Sequence, residues 1–216
     1  EVGPSAIRVD AVRHLEVPFL NQWIQTMAQA SPTPIAFAGE VFDGNPVAIA
    51  NEVHATGLTH SFDFPLYYAI TEGLCEDGDL RKVAAAITQD RRYPANHQWI
   101  TFLDNHDTAR VATVCGDKTQ AAFSLLMSLR GIPAITWATG QGLKGGREIE
   151  ARGDMVFEHT ELHQFIADRL SERRSITALT DGATEWLTAE PQSLAFARVT
   201  ANEAVIVSVG GTEKKP

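Results

Sequence analysis

The feature that most constrains this chain is an alternation: short apolar runs, several ending in acids, with helix-spaced stretches between them. Residues 6–10 (AIRVD) read as a strand, and residues 18–30 place Phe19, Leu20, Trp23, Ile24 and Met27 at helical spacing. A second strand, 34–42, carries Glu40. Residues 59–70 (THSFDFPLYYAI) begin as a strand that Pro65 turns into a helix. Residues 79–92 read as a helix with Asp79 as its cap, and 97–107 (HQWITFLDNHD) as a strand ending in acids. A helix at 119–130, a strand at 132–138 and an amphipathic helix at 160–179 complete this pattern.

Strands alternating with helices build a parallel sheet, either doubly wound or a (β/α)8 barrel. Parallel strands put Asp10, Glu40 and the group Asp104, Asn105, His106, Asp107 on one face, where barrel enzymes keep their chemistry. A doubly wound sheet would carry a glycine-rich phosphate loop; residues 140–146 (GQGLKGG) lack its closing Lys-Ser/Thr, and no GxGxxG opens a helix. After residue 180 the pattern changes to three short strands without helices, 183–210. The domains expected are therefore 1–180, an α/β unit, and 181–216, the start of an antiparallel β domain.

Composition removes several classes. A formal charge of −9, from 27 acids against 18 Lys and Arg, gives no basic patch for a nucleic acid backbone. No run approaches a membrane span, and any targeting segment is expected upstream of residue 1. Cys75 and Cys115 are too few for a disulfide framework and lack metal-ligand spacing, so buried free thiols are expected.

Three carboxylates converging from different strands suit a cationic transition state, glycoside cleavage above all. One attacks the anomeric carbon, and a second protonates the leaving oxygen and later activates water. Arg8, two residues before Asp10, points to the same side of the strand and lowers the aspartate's pKa. Taken singly, each acid reads as a helix cap or loop residue; their common placement favours catalysis. A divalent-metal hydrolase is the rival on the same strand ends. Asp104 reads as a supporting residue. Trp23, Trp99 and Trp186 read as packing residues, and Trp137 as a sugar platform.

These residues resemble glycoside hydrolase family 13, the α-amylase family, in three motifs: Arg8-Val9-Asp10-Ala11-Val12-Arg13-His14, Gly39-Glu40-Val41-Phe42 and Phe102-Leu103-Asp104-Asn105-His106-Asp107. They stand in the family's order, with 30 residues from Asp10 to Glu40 and 67 from Glu40 to Asp107. FDFPLYY and RGIPAITWATGQG extend the likeness. The resemblance implies Asp10 as nucleophile, Glu40 as acid/base and Asp107 as transition-state stabiliser, with Arg8, His106, Arg13 and His14 as substrate contacts. It also implies that the backbone carbonyl of His14 lends a ligand to calcium in a longer parent.

The fold implied is a partial TIM (β/α)8 barrel, its strands four to eight, followed by the start of an antiparallel β domain. Strands one to three are absent, and five strands cannot close a barrel, so the missing N-terminal half of the barrel is an expected partner and the piece alone is expected to be inactive. The activity implied is that of a retaining α-glycosidase acting on α-1,4-linked glucans (starch, maltooligosaccharides). The alternatives are an α-glucan transglycosylase and a non-catalytic remnant. A secreted or periplasmic location is favoured over a cytoplasmic one. Thr139 and Gly140 depart from the family, which commonly carries an acid there.

Overall fold

The computed structural model describes residues 3–76 and 78–210. Five parallel strands form one sheet in sequence order: β1 (Ala6–Val9), β2 (Ala36–Gly39), β3 (His60–Phe62), β4 (Gln98–Thr101) and β5 (Ile132–Pro133). Each pairs in parallel with its sequence neighbour, Val9 opposite Gly39 and Thr101 opposite Pro133. All five therefore release their C-terminal ends toward the same side. The chain is thus a partial (β/α)8 barrel followed by an antiparallel sheet.

The first helices are α1 (Val17–Ala30), α2 (Pro46–Thr56), α3 (Phe64–Ile70) and α4 (Arg81–Thr88). Further on come α5 (Val111–Val114), α6 (Thr119–Ser128), α7 (Glu161–Ser175) and α8 (Thr177–Asp181). In α1, Leu20 and Ile24 are buried while Phe19, on the same expected stripe, faces outward. Helix α2 has no counterpart in the pattern read above. Its signals are local: the Asn45 side chain accepts from the Val47 amide at 2.9 Å, Pro46 opens the first turn, and Gly57 ends the helix at φ 82°.

Two hydrophobic clusters hold the layers. One joins α1 and α2 to β1 and β2 through Leu20, Ile24, Phe37, Ile49 and Val53. The other joins α3, α4 and α6 to the second sheet through Ile70, Val83, Phe123, Leu126, Leu194 and Phe196. Each such side chain contributes about 1.5–3 kcal/mol by leaving water. Trp23 and Trp99 pack on the first cluster and Trp186 on the second. The second sheet is β6 (Ala183–Glu190), β7 (Ser193–Val199) and β8 (Ala204–Gly210), antiparallel throughout. It is tied to the barrel side by the Leu80 amide donating to the Pro191 carbonyl at 3.0 Å. Residues 211–216, at the end of the expected β domain, lie outside the described residues.

Several expectations need correction. The cysteines are not free: Cys75 and Cys115 form a disulfide across a Cα separation of 4.4 Å. Their meeting depends on packing the turn Thr71–Cys75 against the segment after α5, which a 40-residue spacing does not reveal. The strand expected over 132–138 pairs only at its first two residues. Beyond them Thr136 and Trp137 turn their polar atoms to Asp104 and Arg110, and Ala138 adopts a left-handed φ of 60°. The helix expected over 160–179 breaks at Ile176, whose extended φ of −115° separates α7 from α8. Asp79 lies two residues ahead of α4 and bonds the Arg81 amide at 2.9 Å, while 89–92 is a 3-10 turn. Among the described residues no helix is long and apolar enough to cross a membrane.

Candidate active site

Asp10 leaves β1 at the point where the chain must turn. Ala11 takes that turn in the left-handed region (φ 46°, ψ 46°), which costs a residue with a β-carbon on the order of 1 kcal/mol. The compensation is local. The Val12 amide donates to the Glu40 carbonyl at 3.1 Å and the Glu40 amide to the Val9 carbonyl at 2.9 Å, so the two acid-bearing strand ends are stitched together. Gly39 gives the Leu58 side chain room: a Cβ there would push its terminal carbons aside.

Arg8 links the two acids. One terminal nitrogen lies 2.6 Å from Asp10 Oδ1 and the other 3.0 Å from Glu40 Oε1. The hydrogen bond from Arg8, then its charge, hold the Asp10 carboxyl below the usual carboxylate range, as the sequence implies. Burial opposes the charge on Arg8, but Glu40 and Asp10 outweigh it and keep the guanidinium firmly protonated. Asp10 remains open to solvent, its side chain 70% exposed, whereas Glu40 is buried.

Asp107 comes from the loop after β4. Asn105 shapes that loop by accepting the amides of Asp107 and Thr108, both at 2.9 Å, and the Asn105 amide donates to Thr108 Oγ1 at 2.9 Å. The two oxygens of Asp107 are both engaged: Oδ1 accepts from Arg152 at 2.6 Å and Oδ2 lies 3.0 Å from His106 Nε2. Asp10, Glu40, His106 and Asp107 then line one cleft of about 620 Å³, together with Ala11, Arg13, His14, Phe42 and Arg152. That volume is ordinary for a small-ligand site.

The structure brings all seven residues singled out above to this cleft, six of them lining it and Arg8 joining two of its acids. Arg13 is held at 2.6 Å by Asp43, which orients it at the rim. Trp137 lies elsewhere, in a separate hollow with Met155 and His163, its ring edge-on to Phe157 at 5.7 Å. Thr139 is buried and bonds Asp104 Oδ1 at 2.9 Å. Arg152 is the residue that sequence reasoning missed. It also donates to the His106 carbonyl at 3.2 Å, and its 45-residue distance from Asp107 left only the glycine-rich loop 140–146 as a signal. For calcium, His14 offers a single carbonyl oxygen. Among the described residues no three His, Cys, Asp or Glu side chains gather to hold a metal ion. These residues do not by themselves build a calcium site.

No protein-family model matches the chain. It is 27% identical over 223 residues to the beta/alpha-amylase of Paenibacillus polymyxa, covering 98% of this chain and 18% of that protein. It is 27% identical to the alpha-amylase of Niallia circulans, covering 97% and 41% respectively. A cyclomaltodextrin glucanotransferase of Bacillus sp. (strain 38-2) is 26% identical over all of this chain and 31% of its own length. The chain thus spans less than half the length of these curated relatives. Two solved structures share the fold. The Anoxybacillus alpha-amylase has a TM-score of 0.87 and 24% identity, covering 97% of this chain and 48% of its own. The Geobacillus thermoleovorans alpha-amylase, complexed with acarbose, has 0.86 and 23%, covering 94% and 48%. The chain is thus similar over nearly its whole length to alpha-amylases and a cyclomaltodextrin glucanotransferase, and its motifs resemble those of glycoside hydrolase family 13, the alpha-amylase family.

Proposed function

We propose that this chain carries the reacting acids of a retaining α-glycosidase that cleaves α-1,4-linked glucans, working in a barrel completed by three further strand–helix units and inactive without them. The observation that carries the reading is the shared arginine: Arg8 ties Asp10 to Glu40 at the cleft that also holds Asp107. Asp10, ionised and open, is the nucleophile at the anomeric carbon. Glu40 gives its proton to the leaving oxygen and then takes one from water. Asp107 supplies negative charge to the oxocarbenium-like sugar, and His106 hydrogen-bonds its hydroxyls. The edges of β1 and β5, each paired on one side only among the described residues, are where the completing half would pair.

A second reading keeps the same acids and passes the glycosyl group to a sugar hydroxyl instead of water. The likeness to a cyclomaltodextrin glucanotransferase at nearly the same identity favours keeping it. The Cys75–Cys115 disulfide supports an oxidising compartment, secreted or periplasmic.

The test uses the completed barrel. Asp10→Asn is expected to lower turnover of a maltooligosaccharide by about 10⁴-fold or more, and a fluorosugar that traps the covalent intermediate should label Asp10. Wild-type turnover in that variant sinks the assignment. The ratio of hydrolysed to transferred product separates the two readings.

A further inference from the structure

Behind the cleft stands an ion pair that the acid chemistry does not use. Asp104 and Arg110 are 2% and 1% exposed, and Asp104 Oδ2 lies 3.3 Å from Arg110 Nε. The aspartate is saturated: Oδ1 accepts from Thr139 Oγ1 at 2.9 Å, Oδ2 from the Val111 amide at 3.0 Å, and its own carbonyl from Thr136 Oγ1 at 2.8 Å. Arg110 reaches Thr139 Oγ1 at 2.9 Å and the Trp137 carbonyl. Its backbone amide donates to the Gly145 carbonyl at 3.0 Å, while the Gly145 amide donates to Thr113 Oγ1 at 2.8 Å. The pair and the Arg110 backbone therefore bolt together two loops: the one that carries Asp107, and the one after β5 that runs on to Arg152. Gly145 has no room for a side chain, because a Cβ would meet the Glu150 carbonyl.

A buried ion pair is a poor device for stability, since desolvation cancels most of its attraction, and an apolar pair of similar volume often does as well. Its distinctive property is directional: hydrogen bonds to both Asp104 oxygens and from a terminal nitrogen of Arg110 fix geometry on several sides, while Arg110 Nε faces Asp104 through charge alone. Asp107 lies between the two partners in sequence, in a turn whose ends they hold.

We propose that Asp104 and Arg110 are positioning residues, whose buried pair sets where the Asp107 carboxylate and its Arg152 partner stand in the cleft. This rests on the reading of Asp107 as the stabiliser of a cationic sugar. Loosening the pair shifts that carboxylate by a fraction of an ångström to about an ångström, enough to lower kcat by about 10- to 100-fold.

The experiment compares Arg110→Met, Arg110→Lys, Asp104→Asn and the milder Thr139→Val in the completed barrel, scoring only folded protein. Expected are a fall in kcat with KM changed less than about 3-fold, partial recovery in Arg110→Lys relative to Arg110→Met, and a few-fold loss in Thr139→Val. Affinity for acarbose, whose linking amine carries positive charge, should fall with kcat/KM while affinity for maltotriose holds. Wild-type kcat in these variants, or equal losses for acarbose and maltotriose, overturns the proposal. If the larger substitutions do not fold, Thr139→Val decides alone on the same two readouts. An enzyme without α-glucan activity, or one that keeps it in Asp10→Asn, overturns the proposed function and this inference with it. Activity lost in Asp10→Asn but intact in Arg110→Met overturns this inference only.

Discussion

Two arginines in this molecule each hold two carboxylates, and they do so in opposite surroundings. Arg8 binds Asp10 and Glu40 at a cleft, with the arginine side chain 40% and Asp10 70% exposed. Arg130 binds Asp63 and Asp90, with exposures of 12%, 4% and 28%, and stacks 4.3 Å over the Trp99 ring. Burial disfavours charge on Arg130, yet the two aspartates more than offset it and raise its pKa. The closed triad fastens three segments, around residues 63, 90 and 130. In the open triad Asp10 is uncovered while Glu40 is only 10% exposed, less than Asp90. Ion-pair composition and burial therefore say little about role; what sets the open triad apart is that both of its acids line a cleft.

Four measurements test that contrast. Arg8→Met should lower turnover of the completed enzyme by about 10²- to 10³-fold through lost electrostatic preorganisation, while unfolding free energy moves by less than about 1 kcal/mol. A stability loss as large as that of the closed triad would erase the distinction. Arg130→Met should cost about 3–5 kcal/mol in urea unfolding, because it strands Asp63 and Asp90 in the interior. Little change there would mean the closed triad fastens nothing.

Replacing both cysteines by alanine, or reducing the disulfide, should cost about 3–4 kcal/mol by releasing a 40-residue loop in the unfolded chain. Equal melting temperatures with and without reductant would refute this. The smallest effect concerns His97, which sits beside the closed triad. Burial lowers its pKa from 6.5 to about 4, and its Nε2 lies 2.9 Å from Ser61 Oγ. The unfolded chain binds this proton first, so stability is full above about pH 6.5 and falls toward pH 4, by roughly 2–3 kcal/mol. His97→Gln should flatten that slope in a pH series of thermal melts.

The cleft side was more legible than the fastening side, and the reason is range. Asp10, Glu40 and Asp107 announce themselves within short strands that stay apolar until their last residues. Arg8 lies two residues from Asp10, so the pleat alone predicts their pairing. The partners of Arg130 stand 40 and 67 residues away, and no local pattern connects them. Arg152 and the Cys75–Cys115 bond were hidden for the same cause. Helix α2 is different: Asn45, Pro46 and Gly57 mark its ends in the sequence, but its weakly amphipathic interior has no clear apolar stripe. The strand expected over 132–138 was misjudged because its apolar run continues after ladder pairing ends, where Thr136 and Trp137 serve Asp104 and Arg110.

The disulfide has a topological side as well. It closes a covalent ring from Cys75 to Cys115 that contains α4, β4 and the loop with His106 and Asp107. A single protease cut anywhere inside that ring leaves two fragments that still travel as one molecule. Such a nick would be invisible on a non-reducing gel and would appear as two bands once the sample is reduced. The strand that leads to Asp107 is thus secured twice, by its ladder and by a bond that survives the loss of its own backbone continuity.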